Sequence, residues 1–351
     1  MDLINRTNAF IALGKFLRNY SSGESGHKLF KPLDNIIAND HIFNPWFTEN
    51  NIRKSIQAIG DSLTPEKLKK WINHYPELKK EKPAKKIGVI TAGNLPLVGF
   101  HDFISVLISG HQFYGKLSSK DNRLLKFLID FLIEYNAEFN NLIQIEENQL
   151  KSFDAIIATG SNNTSRYFEY YFGRYPNIIR KNRNSVAILD GNETDEDIRL
   201  LADDIFSYFG LGCRNVSKLF VPKNYCFDSF FKYIQHYQSI YNHNQYANNY
   251  DYNKSIYLMN QIQHFDNGFV LLKEDMGLSS PIAVVYYEYY NNIKDIKDIK
   301  DFLNLNNDQV QCIASNIEIS ENVVRFGKTQ QPELWDYADN IDTIDFLLNL
   351  K

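Results

Sequence analysis

The chain has 351 residues, of which 44% are hydrophobic and 23% are charged, and its formal net charge is −4. This length suits two domains, and the apolar content predicts a sizeable packed core. The small negative charge gives no support for a nucleic-acid partner or an anionic membrane surface.

The cysteines are few and scattered, at positions 213, 226 and 312. An odd set without metal-ligand spacing predicts neither a disulfide framework nor a metal site, so we expect a cytoplasmic protein. The eight histidines form no H-x-x-x-H pattern, which argues against a zinc hydrolase. No secretory leader or integral membrane segment is expected, because residues 1–20 are interrupted by polar residues and the most apolar stretch, 95–108, is too short.

Residues 1–80 are predicted to be mainly helical. The apolar spacing within Met1–Tyr20 favours an amphipathic surface helix. Asn50 or Asn51 is expected to cap a helix running to Ile59, and Thr64 is expected to cap another that has Pro65 in its first turn.

The rest of the chain alternates strands with helices. Short β-branched runs predict strands at Lys86–Thr91, Phe113–Leu117, Leu142–Ile145, Ala155–Thr159, Val186–Leu189, Val216–Val221 and Ile282–Tyr287. Helices are expected over 121–135, Asp195–Phe209, about 227–262 and, as a solvated surface helix, 294–301. Such alternation predicts α/β architecture with parallel sheets, in which ligands bind at the carboxyl ends of the strands.

Polar residues follow three of the early predicted strands. Asn94 can donate a hydrogen bond to a developing oxyanion, or it can simply cap the following helix. Lys116, Ser118 and Ser119 suit a ribose or a phosphate. Gly160 and Ser161 suit a pyrophosphate at a helix N-terminus, or an ordinary capped helix start. Neither a G-x-G-x-x-G fingerprint nor a P-loop is present.

Cys213 is the candidate nucleophile. It follows Gly210 and Gly212, which permit tight bends and a close approach of substrate, and it precedes Arg214, a cation that can favour the thiolate. A reactive thiol here would handle an acyl or aldehyde carbon. The alternative is a buried, inert cysteine that packs as a small hydrophobe.

The ordered set of these segments resembles the aldehyde dehydrogenase superfamily, and within it the LuxC-type acyl-CoA reductases. The resemblance runs from about residue 85 to the C-terminus. Ala92–Pro96 matches the family's asparagine loop, and Lys116–Ser119 matches its Lys-Pro-Ser-Glu element. Phe153–Ser161 matches the segment that ends in Thr-Gly-Ser, Gly210–Cys213 matches Gly-Gln-x-Cys, and Lys273–Gly277 resembles Glu-x-Phe-Gly.

The resemblance implies a fold and a set of roles. It implies an aldehyde-dehydrogenase-like fold with two Rossmann-like, three-layer α/β/α domains. Cys213 would accept the acyl group, and Asn94 with the Cys213 backbone N–H would form the oxyanion hole. The dinucleotide would contact Lys116, Ser118, Gly160 and Ser161, and Glu274 would hold the nicotinamide ribose.

Two departures from the wider superfamily refine the expected reaction. The stretch Ile179–Ser185 contains no acid where hydrolytic members carry the glutamate that activates water. Without that base, water attack on an acyl-enzyme is slowed roughly 10²–10⁴-fold, which favours an acyl-CoA reductase. Ser119 replaces a glutamate that faces the adenine ribose in NAD-preferring members. This favours NADPH over NADH, although Asp121 nearby weakens the inference.

The expected substrate is an acyl-CoA or an acyl-protein thioester. The basic residues Arg180, Lys181 and Arg183 either meet CoA phosphates or form a solvated face. The predicted domains are 1–80, a helical segment packed on the cofactor domain; 81–185, which binds the dinucleotide; 186–320, which carries Cys213; and 321–351, a C-terminal return. A homo-oligomer stays open, because no long β-hairpin for an oligomerisation arm is evident.

Two rival interpretations remain on the sequence alone. One is a cysteine-dependent acyltransferase or thioesterase without a redox step. The other is a non-catalytic nucleotide-binding protein.

Overall fold

The computed structural model describes residues 1–80, 82–291, 295–317 and 323–350. The chain forms two compact units, each built around one sheet. Unit 1 comprises Met1–Asn182 with Glu333–Lys351, and unit 2 comprises Arg183–Pro332. The N-terminal helices and the C-terminal segment therefore belong to the unit of the first sheet.

The first sheet has five parallel strands in the order β3-β2-β1-β4-β5. The strands are β1 (Lys86–Ile90), β2 (Gln112–Lys116), β3 (Ile143–Ile145), β4 (Ala155–Thr159) and β5 (Asn177–Arg180). The chain proceeds outward from β1 to β3 on one side and then returns to place β4 on the other. The junction of β1 and β4 is therefore the topological switch point, where ligands bind in such sheets.

The helices of unit 1 cover both faces of this sheet. They are α1 (Leu3–Ser21), α2 (Phe30–Asn39), α3 (Glu49–Ser62), α4 (Pro65–Asn73), α5 (Phe100–Ile108), α6 (Arg123–Tyr135), α7 (Asn162–Phe172) and α12 (Thr343–Leu348), with short 3₁₀ turns at Asp40–Ile42, Pro76–Lys79, Ala137–Asn141 and Ala338–Asn340. Ile87 and Val89 of β1 point into the core shared with α1, α5 and α6. The opposite face, with Ile156, packs against Phe168 of α7. This is a three-layer α/β/α arrangement.

Within the described part of the chain, the second sheet has seven strands in the order β12-β11-β6-β7-β10-β9-β8, of which only β8 is antiparallel to its neighbour. They are β6 (Asn184–Ile188), β7 (Val216–Pro222), β8 (Phe265–Asp266), β9 (Leu271–Glu274), β10 (Val284–Tyr290), β11 (Val310–Ala314) and β12 (Val323–Val324). The helices are α8 (Asp195–Phe206), α9 (Phe227–Ile234), α10 (Asn244–Met259) and α11 (Asp295–Leu305), with 3₁₀ segments at Ser207–Gly210 and Gln235–Asn242. Residues of α11 pack on one face, and α8 packs on β7.

The N-terminal helices agree only in part with the sequence prediction. Thr64 caps α4 as predicted, since its hydroxyl accepts the Lys67 N–H at 3.3 Å. The cap of α3 is Thr48 rather than Asn50 or Asn51. Helix α1 is an amphipathic surface helix as predicted, because Phe10 is buried against Phe100 and Phe103 of α5 whereas Asn8 and Lys15 on the opposite side are exposed.

Several later elements also differ from the prediction. Helix α8 ends at Phe206, three residues early, and the region 227–262 is broken by a 3₁₀ segment. Ile296 and Ile299 of α11 are buried, so this helix is only half solvated; Lys294, which begins the predicted repeat, lies outside the described residues. Strands β5, β8, β9, β11 and β12 were not predicted. They are short or interrupted by polar residues, so their pattern alone does not mark them.

A buried ion pair joins β5 to the helices of unit 1. The Arg180 guanidinium donates to the Asp102 carboxylate of α5 and, at 3.0 Å, to the Thr343 hydroxyl at the start of α12. Arg180 and Asp102 are 5% and 4% exposed. The expectation that Arg180 meets CoA phosphates is therefore wrong, because its charge is committed within the core.

Removing one member of such a pair leaves a buried charge without compensation. We expect Arg180→Met to lower the free energy of unfolding by about 3–5 kcal/mol. Lys181→Met, which removes an exposed partner of Glu169, should change it by less than about 1 kcal/mol. Urea denaturation of both variants checks this, and equal destabilisation would contradict the assignment.

Candidate active site

Three polar loops of unit 1 leave neighbouring strands at the same edge of the first sheet. Asn94 follows β1, Ser118 and Ser119 follow β2, and Gly160 with Ser161 follows β4. Because β1 is flanked by β2 and β4 and all three are parallel, the loops share the carboxyl edge at the switch point. The topology thus confirms that these turns lie on one edge.

Two of these loops are in direct contact. The Thr91 hydroxyl at the end of β1 accepts the Ser118 N–H at 3.1 Å. A Cβ placed on Gly93 would come within 2.2 Å of the Ser118 Oγ. Only glycine fits at this position, so the backbone of the asparagine loop lies directly against the Ser118 side chain.

The Asn94 loop is irregular, and buried side chains hold it. The Asn44 amide donates to the Gly93 carbonyl at 3.0 Å, and the Ser55 hydroxyl donates to the Pro96 carbonyl at 2.8 Å. Asn94 itself is exposed, and α5 begins only at Phe100 with Gly99 as its cap. The simpler interpretation, that Asn94 caps the following helix, is therefore wrong.

Asp121 stabilises the same loop by a hydrogen bond to its backbone. Its Oδ2 accepts the N–H of Leu97 at 2.8 Å, and Leu97 has φ +59°, which is strained for a residue with a side chain. Asp121 is 5% exposed, and its other oxygen has no hydrogen-bond partner among the residues that the structure describes. Burial and, to a smaller extent, the Asp40 carboxylate raise the pKa of Asp121 to about 7, although the Leu97 and Val98 N–H groups oppose the rise.

The remaining residues at this edge are half-buried or exposed. Lys116 and Ser118 are half-buried, whereas Ser119 is exposed. Ser161 is the N-cap of α7 and accepts the Thr164 N–H at 3.3 Å. Ser161 thus caps the helix start, and its hydroxyl and the amides of the first turn lie at the same edge as the other loops.

In unit 2, Cys213 precedes β7 and is half-buried. Three consecutive residues before it, Tyr208, Phe209 and Gly210, have φ of +53°, +61° and +76°. Left-handed conformation costs a residue with a side chain about 1–2 kcal/mol, so this bend is maintained by its surroundings. It ends α8 at Phe206 and turns the chain into the loop that carries the thiol.

The side chain of Asn215 holds this loop together. Its Oδ1 accepts the Gly212 N–H at 2.8 Å, and its Nδ2 donates to the carbonyls of Asp204, Ile205 and Ser207 at 2.9–3.2 Å. Asn215 is 3% exposed. One carboxamide therefore caps the end of α8 and fixes the turn Gly212–Asn215 in which Cys213 lies.

Two further buried groups support the cysteine loop. The Ser185 hydroxyl donates to the Cys213 carbonyl at 3.1 Å. The Asp204 carboxylate accepts the N–H groups of Gly327 and Thr329 at 2.7 and 3.0 Å, and Arg214 donates to the Thr329 carbonyl at 3.4 Å. Burial raises the pKa of Asp204 to about 6, against the lowering effect of these hydrogen bonds. The Arg214 side chain therefore has a hydrogen-bond partner within unit 2.

The structure does not bring every predicted residue of unit 2 together. Cys213 lies before the amino end of β7, and Val216 is level with Val284 and Leu271 across β10 and β9. Glu274 is exposed at the carboxyl end of β9. The two residues therefore lie towards opposite edges of the sheet, and the segment at the amino end of β10, beside the cysteine loop in a small cavity, is Ser280–Ala283.

Sequence reasoning missed the supporting residues Asn44, Ser55, Asp204 and Asn215. Asn215 lies two positions from Cys213, so its proximity was available in the sequence. Asn44 and Ser55 come from the helical region and have no sequence signal that links them to Asn94.

A family model decides the relationship of this chain. The acyl-CoA reductase (LuxC) model matches residues 41–229, more than half of the chain. The chain belongs to the LuxC acyl-CoA reductase family. The match covers every candidate residue named here except Glu274. No curated protein sequence matches this LuxC family member.

Solved structures show the same fold. Aldehyde dehydrogenase 21 from Physcomitrella patens, in complex with the reaction product succinate, is 12% identical with a TM-score of 0.69, over 99% of this chain and 84% of that chain. KauB from Pseudomonas aeruginosa is 10% identical with a TM-score of 0.64, over 91% and 73%. A P. syringae AldA indole-3-acetaldehyde dehydrogenase mutant, bound to NAD⁺ and IAA, is 12% identical with a TM-score of 0.63, over 91% and 74%. The predicted aldehyde-dehydrogenase-like fold of this LuxC family member is confirmed.

Within the described residues of this LuxC family member, no helix combines the length and apolarity that a membrane crossing needs.

The buried carboxyl of Asp121 predicts a specific pH dependence. Its folded pKa of about 7 lies above the unfolded value, so the native state binds more protons between about pH 4 and 7. The stability that it contributes is present at low pH and is lost as the pH rises through 7. The free energy of unfolding of Asp121→Asn should therefore rise relative to that of the wild type as the pH increases from 4 to 8, by about 2–4 kcal/mol in total.

Urea midpoints measured across this pH range check the prediction. Asp130→Asn, an exposed site on α6, is the matched control and should follow the wild type. A stability difference for Asp121→Asn that does not grow with pH would contradict it.

Proposed function

We propose that this protein reduces a fatty acyl thioester, acyl-CoA or acyl-protein, to an aldehyde with NADPH through an acyl-Cys213 intermediate. The observation that carries the proposal is the half-buried Cys213, held by Asn215 in a fixed turn after a strained bend. Strain and preorganisation of this kind accompany functional sites. The family match supports the acyl substrate.

The first half of the reaction uses the cysteine. The Cys213 thiolate attacks the thioester carbonyl carbon, the new C–S bond forms, and the bond to the carrier sulfur breaks. The carrier leaves as a thiol after it takes up one proton, so an acyl group is exchanged between two sulfurs without oxidation or reduction.

An oxyanion forms on the acyl oxygen during this exchange. In the proposal the Asn94 amide and the Cys213 backbone N–H donate to it. Asn44, Ser55 and Asp121 fix the loop that carries Asn94, so its position requires no reorganisation during the reaction. The absence of an acid in Ile179–Ser185 leaves water without the usual activating base, which keeps the acyl-enzyme from hydrolysis.

The carboxyl edge of the first sheet suits a dinucleotide. Lys116 supplies a cation, Ser118 and Ser161 supply hydroxyls, and the first turn of α7 supplies N–H donors for phosphate and ribose oxygens. In the proposal the backbone of Gly160 contacts the same ligand. When bound, the reduced nicotinamide would supply the hydride that adds to the acyl carbon. The bond from that carbon to the Cys213 sulfur then breaks, so that aldehyde leaves and the cysteine thiolate is restored. Glu274 has no role in this mechanism, because it lies at the edge of the second sheet opposite to that of Cys213.

Two residues bear on the choice between NADPH and NADH. Ser119 is exposed and carries no charge that would repel a 2′-phosphate. Asp121, which weakened this inference at the level of sequence, is buried and accepts the Leu97 N–H, so its carboxylate is turned into the loop. We therefore favour NADPH and keep NADH as the alternative.

The central test follows oxidation of NADPH with an acyl-CoA substrate. Cys213→Ala should lose activity by roughly 10³-fold or more, because the nucleophile is removed. Asn94→Ala should lower kcat about 10²–10³-fold while the rate of Cys213 alkylation by iodoacetamide stays unchanged. Cys226→Ala, an exposed cysteine in the same unit, is the control and should retain full activity.

The rival functions predict other outcomes. Release of CoA thiol without NADPH oxidation would indicate an acyltransferase or thioesterase. Full activity in Cys213→Ala would overturn the role of the cysteine, and a thiol at 213 that resists iodoacetamide would favour a non-catalytic protein.

Cofactor preference has its own test. Ser119→Glu should raise KM for NADPH about tenfold or more and leave KM for NADH nearly unchanged, because a carboxylate would repel the 2′-phosphate. Gln149→Glu, which adds the same charge at an exposed site of unit 1, should change neither value. An equal effect of Ser119→Glu on both cofactors would argue against contact with the adenine ribose.

A further inference from the structure

A cavity of about 840 Å³ lies at the amino edge of the first sheet, within unit 1. Ala84, Gly110 and Leu142 line it, and each lies just before β1, β2 or β3. The loops with Asn94, Ser118 and Ser161 leave the opposite, carboxyl edge. The cavity is therefore separate from the proposed cofactor site, and its size is that of a small-molecule pocket.

One part of the cavity wall is apolar. The first turn of α1 contributes Leu3 and Ile4, and Ile72, Leu78 and Leu348 complete the surface. Ile4 is 70% exposed although it is a large hydrocarbon side chain at the cavity. A hydrocarbon group placed here would cover apolar surface that water otherwise contacts.

The rest of the lining is mainly basic. Five cationic side chains line the cavity: Arg6, Lys69, Lys79, Lys80 and Lys82. The acidic side chains that line it are Asp2 and Glu77. The four lysines are exposed, and the positive end of the 19-residue helix α1 adds to their potential.

Arg6 gives the second, independent indication of an anion. Its side chain is buried (8% exposed), and it donates to the carbonyls of Met1 and Ile108 at 2.8 and 3.4 Å. Among the described residues no carboxylate forms an ion pair with it; Asp2 instead caps α1 by accepting the Asn5 N–H at 2.7 Å. Burial lowers the pKa of Arg6, although Asp2 opposes this. Buried arginines normally have a paired anion.

We propose that this cavity binds an amphiphilic anion, with a carboxylate or phosphate headgroup among the lysines and Arg6 and a hydrocarbon chain against the apolar wall. The site is additional to the proposed reductase site and does not depend on it. The ligand needs both an anionic headgroup and a hydrocarbon chain, because basic and apolar residues line the same cavity.

Calorimetry with the full chain tests the site, with dodecanoate, dodecyl phosphate and inorganic phosphate as probes below micellar concentrations. At least one dodecyl probe should bind saturably, with an affinity that falls as salt rises. The double variant Lys79→Gln with Lys80→Gln should weaken binding about 5–30-fold. Lys15→Gln with Lys31→Gln, which removes two exposed lysines of unit 1 outside the cavity, should leave the affinity unchanged.

The apolar wall has a matched pair of variants. Ile4→Gln should weaken the dodecyl probe about 3–10-fold, whereas Ile42→Gln, equally exposed but outside the cavity, should have no effect. The proposal is overturned if neither dodecyl probe binds, if inorganic phosphate binds as tightly as dodecyl phosphate, or if binding is insensitive to Lys79 and Lys80. The last result would place any bound acyl probe elsewhere, including at Cys213, and leaves the reductase proposal untouched.

Discussion

The carboxamide of Asn215 is the interaction on which the presentation of Cys213 depends. Four hydrogen bonds from one buried side chain satisfy the carbonyls of Asp204 and Ile205 in α8, the carbonyl of Ser207 just after it, and the N–H of Gly212. Those carbonyls have no partner within the helix, and burial without partners would cost several kcal/mol. The same group that completes the helix therefore also joins the two sides of the bend through Tyr208 and Phe209 and fixes the turn that holds the thiol.

The first unit supports its candidate loop by a similar principle with different residues. The segment after β1 is irregular, so its backbone groups cannot pair within a helix or sheet. Asn44, Ser55 and Asp121 supply the partners from three separate elements. Rigid loops on a parallel sheet are the usual way in which α/β folds place reactive groups, since the strands fix the loop ends and buried polar side chains fix the rest.

Some charged side chains are buried and paired within the core, whereas others remain in contact with solvent. Arg180 and Asp102 neutralise each other within the core and add no charge at the surface. Asp121 and Asp204 are carboxyls held by backbone N–H groups, and their raised pKa values reflect the cost of burial. Lys116 and Ser119 at one edge of the first sheet, and the lysines at the other, stay in contact with solvent and are the groups that can meet a ligand.

Much of the fold was predictable from local pattern. The strands Lys86–Ile90 and Ala155–Thr159 are β-branched runs that end in Gly, Ser or Asn, and their alternation with helices requires a parallel sheet whose carboxyl ends carry Asn94, Ser118 and Ser161. Cys213 stood out by its glycines and by its place in an ordered set of family motifs. Local sequence decides such features because they depend on residues a few positions apart.

Tertiary structure alone decided the rest. Arg180 looked like a solvated cation, yet its partner Asp102 is 78 residues away, and Asp121 looked like a neighbour of the ribose until the Leu97 N–H was found to hold it inward. Glu274 matched a motif but ends strand β9, at the edge of the sheet opposite to that of Cys213. Sequence fixes which residues can form a strand or a turn; which charge is buried, and which edge a loop reaches, depends on contacts between distant segments, whose free energies exist only once the chain has packed.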